Sequence, residues 1–564
     1  MSKLRFFLPV AAFAVGCGTN DGPRSDSPNG GTVIVTTPGD ATDIFPPFVT
    51  EQNGAVVRGL VFDRLAAIGP ELRTVGDKGF APQLAKSWTW APDSLSIAFS
   101  IDPRARWHDG KPVTAADVRY SFHAFTDPKA HSPTAVLLTN LDSVSVRDSA
   151  TAVVFFKKRM PEQFYDVAYQ LYILPEHVYG KIPFDSLHSA EATRAPVGSG
   201  QFRFVRWQPD VRIELVADTA NYRGRPKLDR VVLTPSTDQS AGAAQILSGQ
   251  ADFMLAFPVD RISELDSSTV ARGRPTPTQQ YTFLGMNLFA QGSTHHEPHP
   301  IFGDVRVRRA LSMAVDRSAM LQNVFGSIGR IGHGPFPMGQ TASDSTIRLP
   351  AYDTSAAAAL LDSSGWRRAA DGMRSKNGLP LRFSILVTST SVTRMKYAVL
   401  LQEAFRRLGA RADLEQVDNK GFYARAIPEG IHAGKFDAML NTFQPDPSVS
   451  GAKQNWATAG IGPDGQNWML YSNPKVDAAL DSSVSSFDPA RAKAFAKQAF
   501  QQIADDAPAI WLYDVVYVSG VNRRIELPAP RVDGWEANLA EWSIPPAKRI
   551  GRDRVGIAAP ANKK

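Results

Sequence analysis

The stretch "RWHDGKPVTAADVRYSF", residues 106–122, places a histidine beside an aspartate, a pairing used by both acid–base catalysis and metal binding. A catalytic pair needs His108 and Asp109 to face each other near a nucleophile or a metal, but neighbours in a strand point to opposite faces. The following Gly110 suits a tight turn, and Thr114 and Asp117 have the spacing of a helix capping box. We therefore expect a strand, a turn and a capped helix, with His108 and Asp109 in the scaffold.

The densest group of metal-capable side chains is "THHEPHP", residues 294–300. His295, His296 and His299 could bind zinc, copper or nickel. Two prolines indicate an exposed irregular loop without a partner cluster of ligands, so we expect adventitious surface binding at most, and no resident metal or cofactor.

Other sequence signatures of catalysis are lacking. The glycine-rich "PVGSGQF" (196–202) has no lysine of a phosphate-binding loop, and the chain has no G-x-S-x-G elbow, no H-E-x-x-H and no paired C-x-x-C. Among 564 residues, 31 Phe, 13 Tyr and 10 Trp argue against disorder. The formal charge of +7 is spread along the chain and forms no basic stripe, so we predict neither an enzyme nor a nucleic-acid binder.

The first residues, "MSKLRFFLPVAAFAVGCG", have the pattern of a targeting segment. Lys3 and Arg5 precede an apolar run, residues 6–16, that is too short to span a bilayer. The run ends directly before Cys17, the only cysteine, and resembles the lipobox of bacterial lipoproteins. We expect a signal peptide over 1–16, lipidation of Cys17 and a flexible tether over 17–30; the alternative is an ordinary secretory signal with a coincidental cysteine.

The apolar pattern farther along predicts both strands and helices. A strand is expected at 32–36 and a hairpin over 201–217, turning at 208–210, with one face made by Phe202, Phe204, Val211, Ile213 and Leu215. A helix capped by Asp304 is expected over 304–325. A β–α–β unit is expected over 381–417, its helix ending at Gly409. Together these predict a mixed α/β protein.

Several long stretches resemble the family 5 extracellular solute-binding proteins, which are the peptide- and nickel-binding components of ABC importers. Residues 81–122 contain, in the family's order, a leucine-alanine pair, a tryptophan, a predicted strand, an H-D-G turn and a predicted helix. Ser94 stands where the family usually has glycine. "PVGSGQFRFVRWQPDVRIELVADTANYRGRPKLDRVVL" (196–233), "AAQILSGQADF" (243–253) and "DVRVRRALSMAVDRSAM" (304–320) match further blocks in family order, as do residues 352–366 and 471–481. The resemblance covers nearly all of residues 31–545.

The resemblance implies an α/β, two-lobed periplasmic-binding-protein-like fold of type II, cluster C, with an extra domain next to lobe one. Lobe one is expected to be discontinuous and to consist of residues 31–57, 193–277 and 515–548. The extra domain is expected at 58–192, lobe two at 278–514 and a tail at 549–564. The ligand would lie in the cleft between the lobes.

The resemblance also indicates where that ligand would be held. In peptide-binding relatives an aspartate of lobe two holds the peptide's ammonium group, three residues before a D-P dipeptide; here Phe443 stands there and Asp446 lies in the dipeptide itself. Either Asp446 takes the ammonium role, or the ligand has no free amine and Asp446 caps a loop. The residues expected to line the cleft are Phe48, Thr50, Asn53, Asn441, Thr442, Phe443, Gln444, Asp446, Asn455 and Trp456.

Two functions from different classes follow from the resemblance. The first is a monomeric, membrane-anchored, extracytoplasmic (periplasmic) protein that delivers a peptide to an ABC permease driven by its ATPase. The alternative uses the same fold to bind an oligosaccharide, a metal complex or another solute, or to act as a sensor or a chaperone-like binder.

Overall fold

A computed structural model describes residues 27–554, except 294–296, 338, 339, 341, 430, 431, 463 and 464. The signal peptide, Cys17, His295, His296 and residues 555–564 therefore lie outside the described residues. The strands are β1 (Thr32–Thr37), β2 (Ala66–Ile68), β3 (Phe80–Pro82), β4 (Ala85–Trp90), β5 (Ser96–Ile101), β6 (Leu141–Asp148), β7 (Thr151–Phe156), β8 (Phe202–Gln208), β9 (Arg212–Ala217), β10 (Arg230–Pro235), β11 (Phe253–Met254), β12 (Ala271–Met286), β13 (Arg330–Ile331), β14 (Arg367–Arg368), β15 (Arg374–Lys376), β16 (Leu379–Pro380), β17 (Arg382–Thr388), β18 (Arg411–Val417), β19 (Ala438–Phe443) and β20 (Ala509–Asn522).

Helices alternate with these strands. They are α1 (Gln52–Val61), α2 (Ala115–Thr126), α3 (Gln163–Tyr165), α4 (Glu176–Tyr179), α5 (Glu191–Arg194), α6 (Gln239–Leu247), α7 (Ile262–Ser267), α8 (Val305–Met313), α9 (Arg317–Phe325), α10 (Thr354–Ser363), α11 (Val392–Leu408), α12 (Asn419–Ala426), α13 (Val449–Trp456), α14 (Pro474–Val484) and α15 (Pro489–Asp506). A π-helical turn, Asp166–Gln170, continues α3.

One large sheet runs through the molecule in the order β18-β17-β19-β12-β20-β11-β1-β10-β9-β8. Parallel pairs stand on both sides of its middle, β17 with β18 and β19, and β1 with β10 and β11. The middle itself is the antiparallel pair β12–β20, whose register breaks between Pro277 and Tyr281, opposite Val516 and Asp514. Such a bulge bends a strand pair locally, so we name residues 278–280 the hinge bulge.

The apolar cores separate the chain into two regions. One core joins β1 and α1 of lobe one to the four-stranded sheet β4-β5-β7-β6 and to α2. Two others lie in lobe two, one around α8, α9 and α11 and the other around α13, α14 and α15. The cleft lies between these regions.

Several sequence predictions are confirmed. Asp304 caps α8 by accepting a hydrogen bond from the Arg306 N–H, and Gly409 ends α11 at a φ of 90°. Parallel β17 and β18 flank α11 as the predicted β–α–β unit. Ser94, which replaces the family's glycine, adopts a φ of 59°, the left-handed conformation that glycine adopts without a steric penalty.

Other predictions need correction. The single helix expected over 304–325 is two helices, because Asp316 caps the start of α9 with a hydrogen bond to the Ala319 N–H. Val211 was expected on the buried face of the β8–β9 hairpin but is 58% exposed, since it belongs to the turn.

Both chain ends of the described region are also more firmly attached than expected. Arg552 pairs with Asp252, and Asp553 accepts a hydrogen bond from the Thr32 N–H, so residues 552 and 553 of the expected tail contact segments expected to form lobe one. At the other end the Gly30 N–H donates to the Lys227 carbonyl, so the last residues of the expected 17–30 tether are bound to lobe one.

The His108 ring joins the H-D-G turn to the glycine-rich segment 196–202. Its Nε2 donates to the Gly200 carbonyl oxygen at 2.9 Å, and its Nδ1 accepts from the Gly198 N–H at 3.3 Å, so both nitrogens of the neutral ring are satisfied. Thr114 and Asp117 form the predicted capping box of α2. The predicted turn and capped helix are confirmed, but the strand expected before the turn is only an isolated bridge between Arg106 and Pro112.

We predict that His108→Gln lowers the free energy of unfolding at pH 7 by about 1–3 kcal/mol, because two buried hydrogen bonds lose their geometry. Burial lowers the pKa of His108 to about 4 from the usual 6.5. Between these pH values the unfolded chain takes up a proton that the folded chain does not, so this site removes up to roughly 3 kcal/mol of stability as the pH falls through that window. Urea unfolding should show a flatter pH dependence in the variant.

The matched control is the exposed His123→Gln, and equal pH profiles for His108→Gln and wild type would contradict the prediction.

Candidate functional site

A first cavity, of about 670 Å³, opens beyond the carboxyl ends of β1, β10 and β17. Ligands of open α/β sheets bind at this kind of position, outside the strand ends. Its walls are rich in hydroxyl groups, so we name it the hydroxyl-lined cavity; they come from Thr36, Thr37, Ser236, Thr237, Ser240, Thr390, Ser391, Thr393, Tyr423, Thr442, Tyr513 and Tyr517.

A second cavity, of about 830 Å³, lies on the other side of Gln52, which lines both. We name it the arginine-lined cavity. Its walls come from distant parts of the chain and include residues 49–52, α1, Tyr169 and Tyr172, residues 444–447, α13 and residues 531–540. A hydrogen bond of 3.0 Å from Gln280 Nε2 to Gln444 Oε1 joins the hinge bulge to lobe two between the cavities.

The structure places six of the ten predicted cleft residues on the cavity walls. Asn53 and Thr442 line the hydroxyl-lined cavity, and the arginine-lined cavity has Thr50, Gln444, Asp446 and Asn455. Residues 444–447 reach the cavity wall because β19 ends at Phe443 and the chain turns into the cleft before α13 begins.

Of the other four predicted residues, Phe48, Phe443 and Trp456 lie in the apolar cores. Phe48 packs against Phe45 and His188, and Phe443 packs against Phe283 and Trp468. Asn441 is buried and lines neither cavity, and the buried Trp456 donates from Nε1 to the Tyr281 hydroxyl. None of these four residues lines either of the two cavities. Alternation along β19 sends Phe443 away from the cleft, and the aromatic residues fill the cores instead.

Asp446 is held by donors from the opposite wall of the cleft. Tyr165 Oη donates to its carboxylate at 2.9 Å, and Gln170 Nε2 donates at 3.0 Å. The Ser448 N–H completes the set at 2.9 Å, which is the loop-capping interaction that the sequence suggested as one alternative. No cationic side chain within the described residues pairs with Asp446, and burial raises its pKa.

A second carboxylate bridges the same two walls. Glu162 of the extra domain accepts from Thr74 Oγ1 at 2.6 Å and from Ser450 Oγ at 3.0 Å. Nearby, the Arg159 guanidinium lies 4.4 Å from the centre of the Phe487 ring of lobe two. We name the contacts of Tyr165, Gln170 and Glu162 with Asp446 and Ser450 the cross-cleft latch.

The latch gathers acidic groups in a buried place. Burial raises the pKa of Glu162, and burial also raises that of Asp166, well above the usual value for an aspartate. A carboxyl group that stays protonated can donate as well as accept a hydrogen bond, so these groups can lie close together without full mutual repulsion.

Sequence reasoning missed the residues of the extra domain and of the hinge bulge. Tyr165 and Gln170 lie 281 and 276 residues from their partner Asp446, and no local pattern connects them. Gln279 and Gln280 lie at the register break of β12, where Pro275 and Pro277 were the available signal of an interrupted strand.

The histidine-rich stretch plays a structural part where the structure describes it. His299 is buried, and its Nδ1 accepts from the N–H groups of Ile301 and Phe302. Its Nε2 lies 3.2 Å from Asp437. Within the described residues no group of three or more His, Cys, Asp or Glu side chains could hold a metal ion.

The sequence profile of the bacterial extracellular solute-binding proteins, family 5 Middle, matches residues 79–460. The chain belongs to this family. It is 27% identical over 542 residues, 95% of this chain and 96% of the relative, to a Brucella melitensis biotype 1 protein that carries the name of an ABC transporter peptide-binding protein.

Solved structures show the same two-lobed fold. The oligopeptide-binding protein AppA from Bacillus subtilis, in complex with a nonapeptide, is similar with a TM-score of 0.76 and 23% identity over 92% of this chain and 99% of that one. NikZ from Campylobacter jejuni, in complex with Ni(L-His), is similar with a TM-score of 0.77 and 23% identity over 91% and 99%. Across residues 27–554, as far as they are described, no helix is long and apolar enough to span a membrane.

We predict that Tyr165→Phe and Asp446→Asn each weaken the cross-cleft latch, because a hydrogen bond to a buried carboxylate contributes about 1.5–3 kcal/mol. Because the latch joins the two walls of the cleft, the ligand-free variants should have a larger radius of gyration than wild type in small-angle X-ray scattering. A double-mutant cycle on urea stability should give a coupling of about 1 kcal/mol or more.

The matched control for this experiment is Asp142→Asn, an exposed carboxylate on β6 outside both cavities. It should leave the scattering curve and the stability unchanged. Additive effects of Tyr165→Phe and Asp446→Asn, with no change in the radius of gyration, would argue that the contact does not hold the cleft walls together.

Proposed function

We propose that the chain is the extracytoplasmic solute-binding component of an ABC importer, which captures a di- or oligopeptide-like solute in the inter-lobe cleft and delivers it to the permease. The observation that carries the proposal is the pair of cavities between two lobes joined at a hinge bulge. Their volumes, about 670 and 830 Å³, fall in the range of about 300–1,000 Å³ that small-molecule sites occupy.

The division into lobes follows from the same features. The lobe boundaries at 277/278 and 514/515 coincide with the register break of β12–β20. We assign 31–57, 193–277 and 515–553 to lobe one, 58–192 to the extra domain and 278–514 to lobe two. Closure about the hinge bulge would exclude water and strengthen polar contacts to the solute.

The mode of peptide binding would be strand addition. The carboxyl end of β19 and residues 444–447 offer backbone groups to an extended peptide, and main-chain hydrogen bonds of this kind are blind to peptide sequence. We propose that the protein makes and breaks no covalent bond, that Cys17 carries the lipid anchor, and that the mature protein is a periplasmic monomer that meets the permease and its ATPase at the membrane.

A non-peptide solute is the second candidate. It is favoured by Asp446, whose carboxylate already accepts from Tyr165, Gln170 and Ser448 and so is not poised for an ammonium group. The hydroxyl-lined cavity suits a polyhydroxylated ligand such as an oligosaccharide.

A thermal-shift screen of di- to pentapeptides, each with a free and with an acetylated amino terminus, tests the function. We expect a subset to stabilise the protein, by about 2.7 kcal/mol at 100 times the dissociation constant. Because Asp446 is already occupied, acetylation should cost less than about tenfold in affinity.

The variant Asp446→Asn separates the two roles of that residue. A large loss of affinity for free-amine peptides, with none for acetylated ones, would show that Asp446 clamps an ammonium group. Silence across all peptides, with stabilisation by oligosaccharides, would replace the peptide assignment with the second candidate.

A further inference from the structure

Two arginines on the wall of the arginine-lined cavity lack anionic partners. The guanidinium carbons of Arg58 and Arg64 lie 4.7 and 4.2 Å from the centre of the same Tyr172 ring, and Arg64 lies 4.0 Å from the Tyr169 ring. Throughout the part of the chain that the structure describes, neither side chain forms an ion pair or a hydrogen bond, and both Nε atoms are buried without a partner. The aromatic faces hold the cations but leave the N–H edges free.

Two amide side chains add unpartnered donors to the same wall. Gln279, from the hinge bulge, is 5% exposed, and Asn455, from α13, is 2% exposed. The Nε2 of Gln279 and the Nδ2 of Asn455 are buried and have no hydrogen-bond partner among the described residues. A buried donor without an acceptor costs about 1–3 kcal/mol, and the four such donors belong to side chains that line one cavity.

The acidic residues of the cavity form no ion pair with these arginines within the described residues, although Asp533 attracts Arg64 and Glu536 attracts both arginines at longer range. Glu51 caps α1, Asp446 belongs to the cross-cleft latch, and Asp533 pairs with Arg531 at 2.7 Å. The remaining carboxyl group is that of Glu536, whose Oε2 is buried and unpartnered where the structure is described. Burial raises the pKa of Glu536 to about 7, so this group is largely protonated in mildly acidic surroundings.

We propose that Arg58 and Arg64, with Gln279 and Asn455, form a subsite of the arginine-lined cavity for the oxyanion of the bound solute, a carboxylate or a phosphate group. The planar guanidinium offers the forked donors that match such oxyanions. The subsite combines the extra domain, the hinge bulge and lobe two, so an oxyanion bound there contacts both sides of the cleft at once. For a peptide it would take the carboxyl terminus or an acidic side chain, and in that form the inference rests on the proposed function.

The experiment measures affinity by titration calorimetry for peptides from the screen, each with a free and with an amidated carboxyl terminus, and for citrate and inorganic phosphate. Wild type should bind the free-carboxylate form at least about tenfold more tightly than the amide, since a charge-assisted hydrogen bond contributes about 1.5–3 kcal/mol. Arg58→Gln and Arg64→Gln should each reduce this preference, and the double variant should abolish it.

The matched control is Arg147→Gln, which removes the same charge from an exposed position on β6, outside both cavities, and should keep the preference. Circular dichroism and urea unfolding establish that each variant folds. If Arg58→Gln is too unstable for calorimetry, Arg58→Lys replaces it. Lysine keeps the positive charge but lacks the forked donors of the guanidinium, so this variant should keep part of the preference for the free carboxylate.

The outcomes separate this inference from the proposed function. Equal binding of acid and amide peptides by wild type would overturn the subsite and leave peptide binding intact. Binding of citrate or phosphate that is lost in Arg58→Gln and Arg64→Gln, with no binding of any peptide, would support the subsite and overturn the peptide assignment. A preference that survives in the double variant would overturn the subsite. If wild type binds neither form of the peptides, nor citrate, nor phosphate, both the subsite and the proposed function are overturned.

Discussion

The antiparallel pair β12–β20 is the constraint on which the rest of the structure depends. These two strands run through both lobes and hydrogen-bond to each other over most of their length, so the lobes share one continuous sheet. The pair loses register between Pro277 and Tyr281, and again between Thr282 and Phe283. A bend can concentrate there because the ladder bonds are missing, and Gln279 and Gln280 at the first break line the cavities. The position where the sheet loses register is therefore also where it lines the two cavities.

The cross-cleft latch joins the two walls through hydrogen bonds to Asp446 and Glu162. Asp446 and Glu162 each accept hydrogen bonds from the wall opposite, and each is buried by the contact that it makes. Separation of the walls would return these carboxyl groups to water, where hydration replaces the lost bonds. The net free energy of the contact is therefore small compared with its gross strength, as a reversible closure requires. An apolar interface of similar size would hold the lobes more permanently.

Much of the fold could be predicted from the sequence, because its determinants are local. The capping of α2 by Thr114 and Asp117, the end of α11 at Gly409 and the turn after His108 all depend on residues a few positions apart. The division of the predicted 304–325 helix was missed because the apolar pattern continues across Asp316, which the structure shows to be a second N-cap. For the site, the polar segment 444–446 was found by family resemblance, but aromatic residues beside it were assigned to the cleft when strand alternation places them in the core. The partners of Asp446 lie more than 270 residues away, and one sequence without tertiary contacts contains no signal that joins them.

Arg58 and Arg64 show why unpaired groups are more informative about binding than paired ones. An arginine neutralised by a protein carboxylate must break that pair before it can bind an oxyanion, and the cost reduces affinity. An arginine held against Tyr172 keeps its orientation through the ring face, and its N–H donors remain available. The arrangement is less stable for the empty protein than an ion pair would be, since the buried Nε atoms have no acceptor in the described structure. The unpaired donors raise the free energy of the empty protein. A solute whose acceptors bond to these donors removes that penalty, and the gain adds to the free energy of binding.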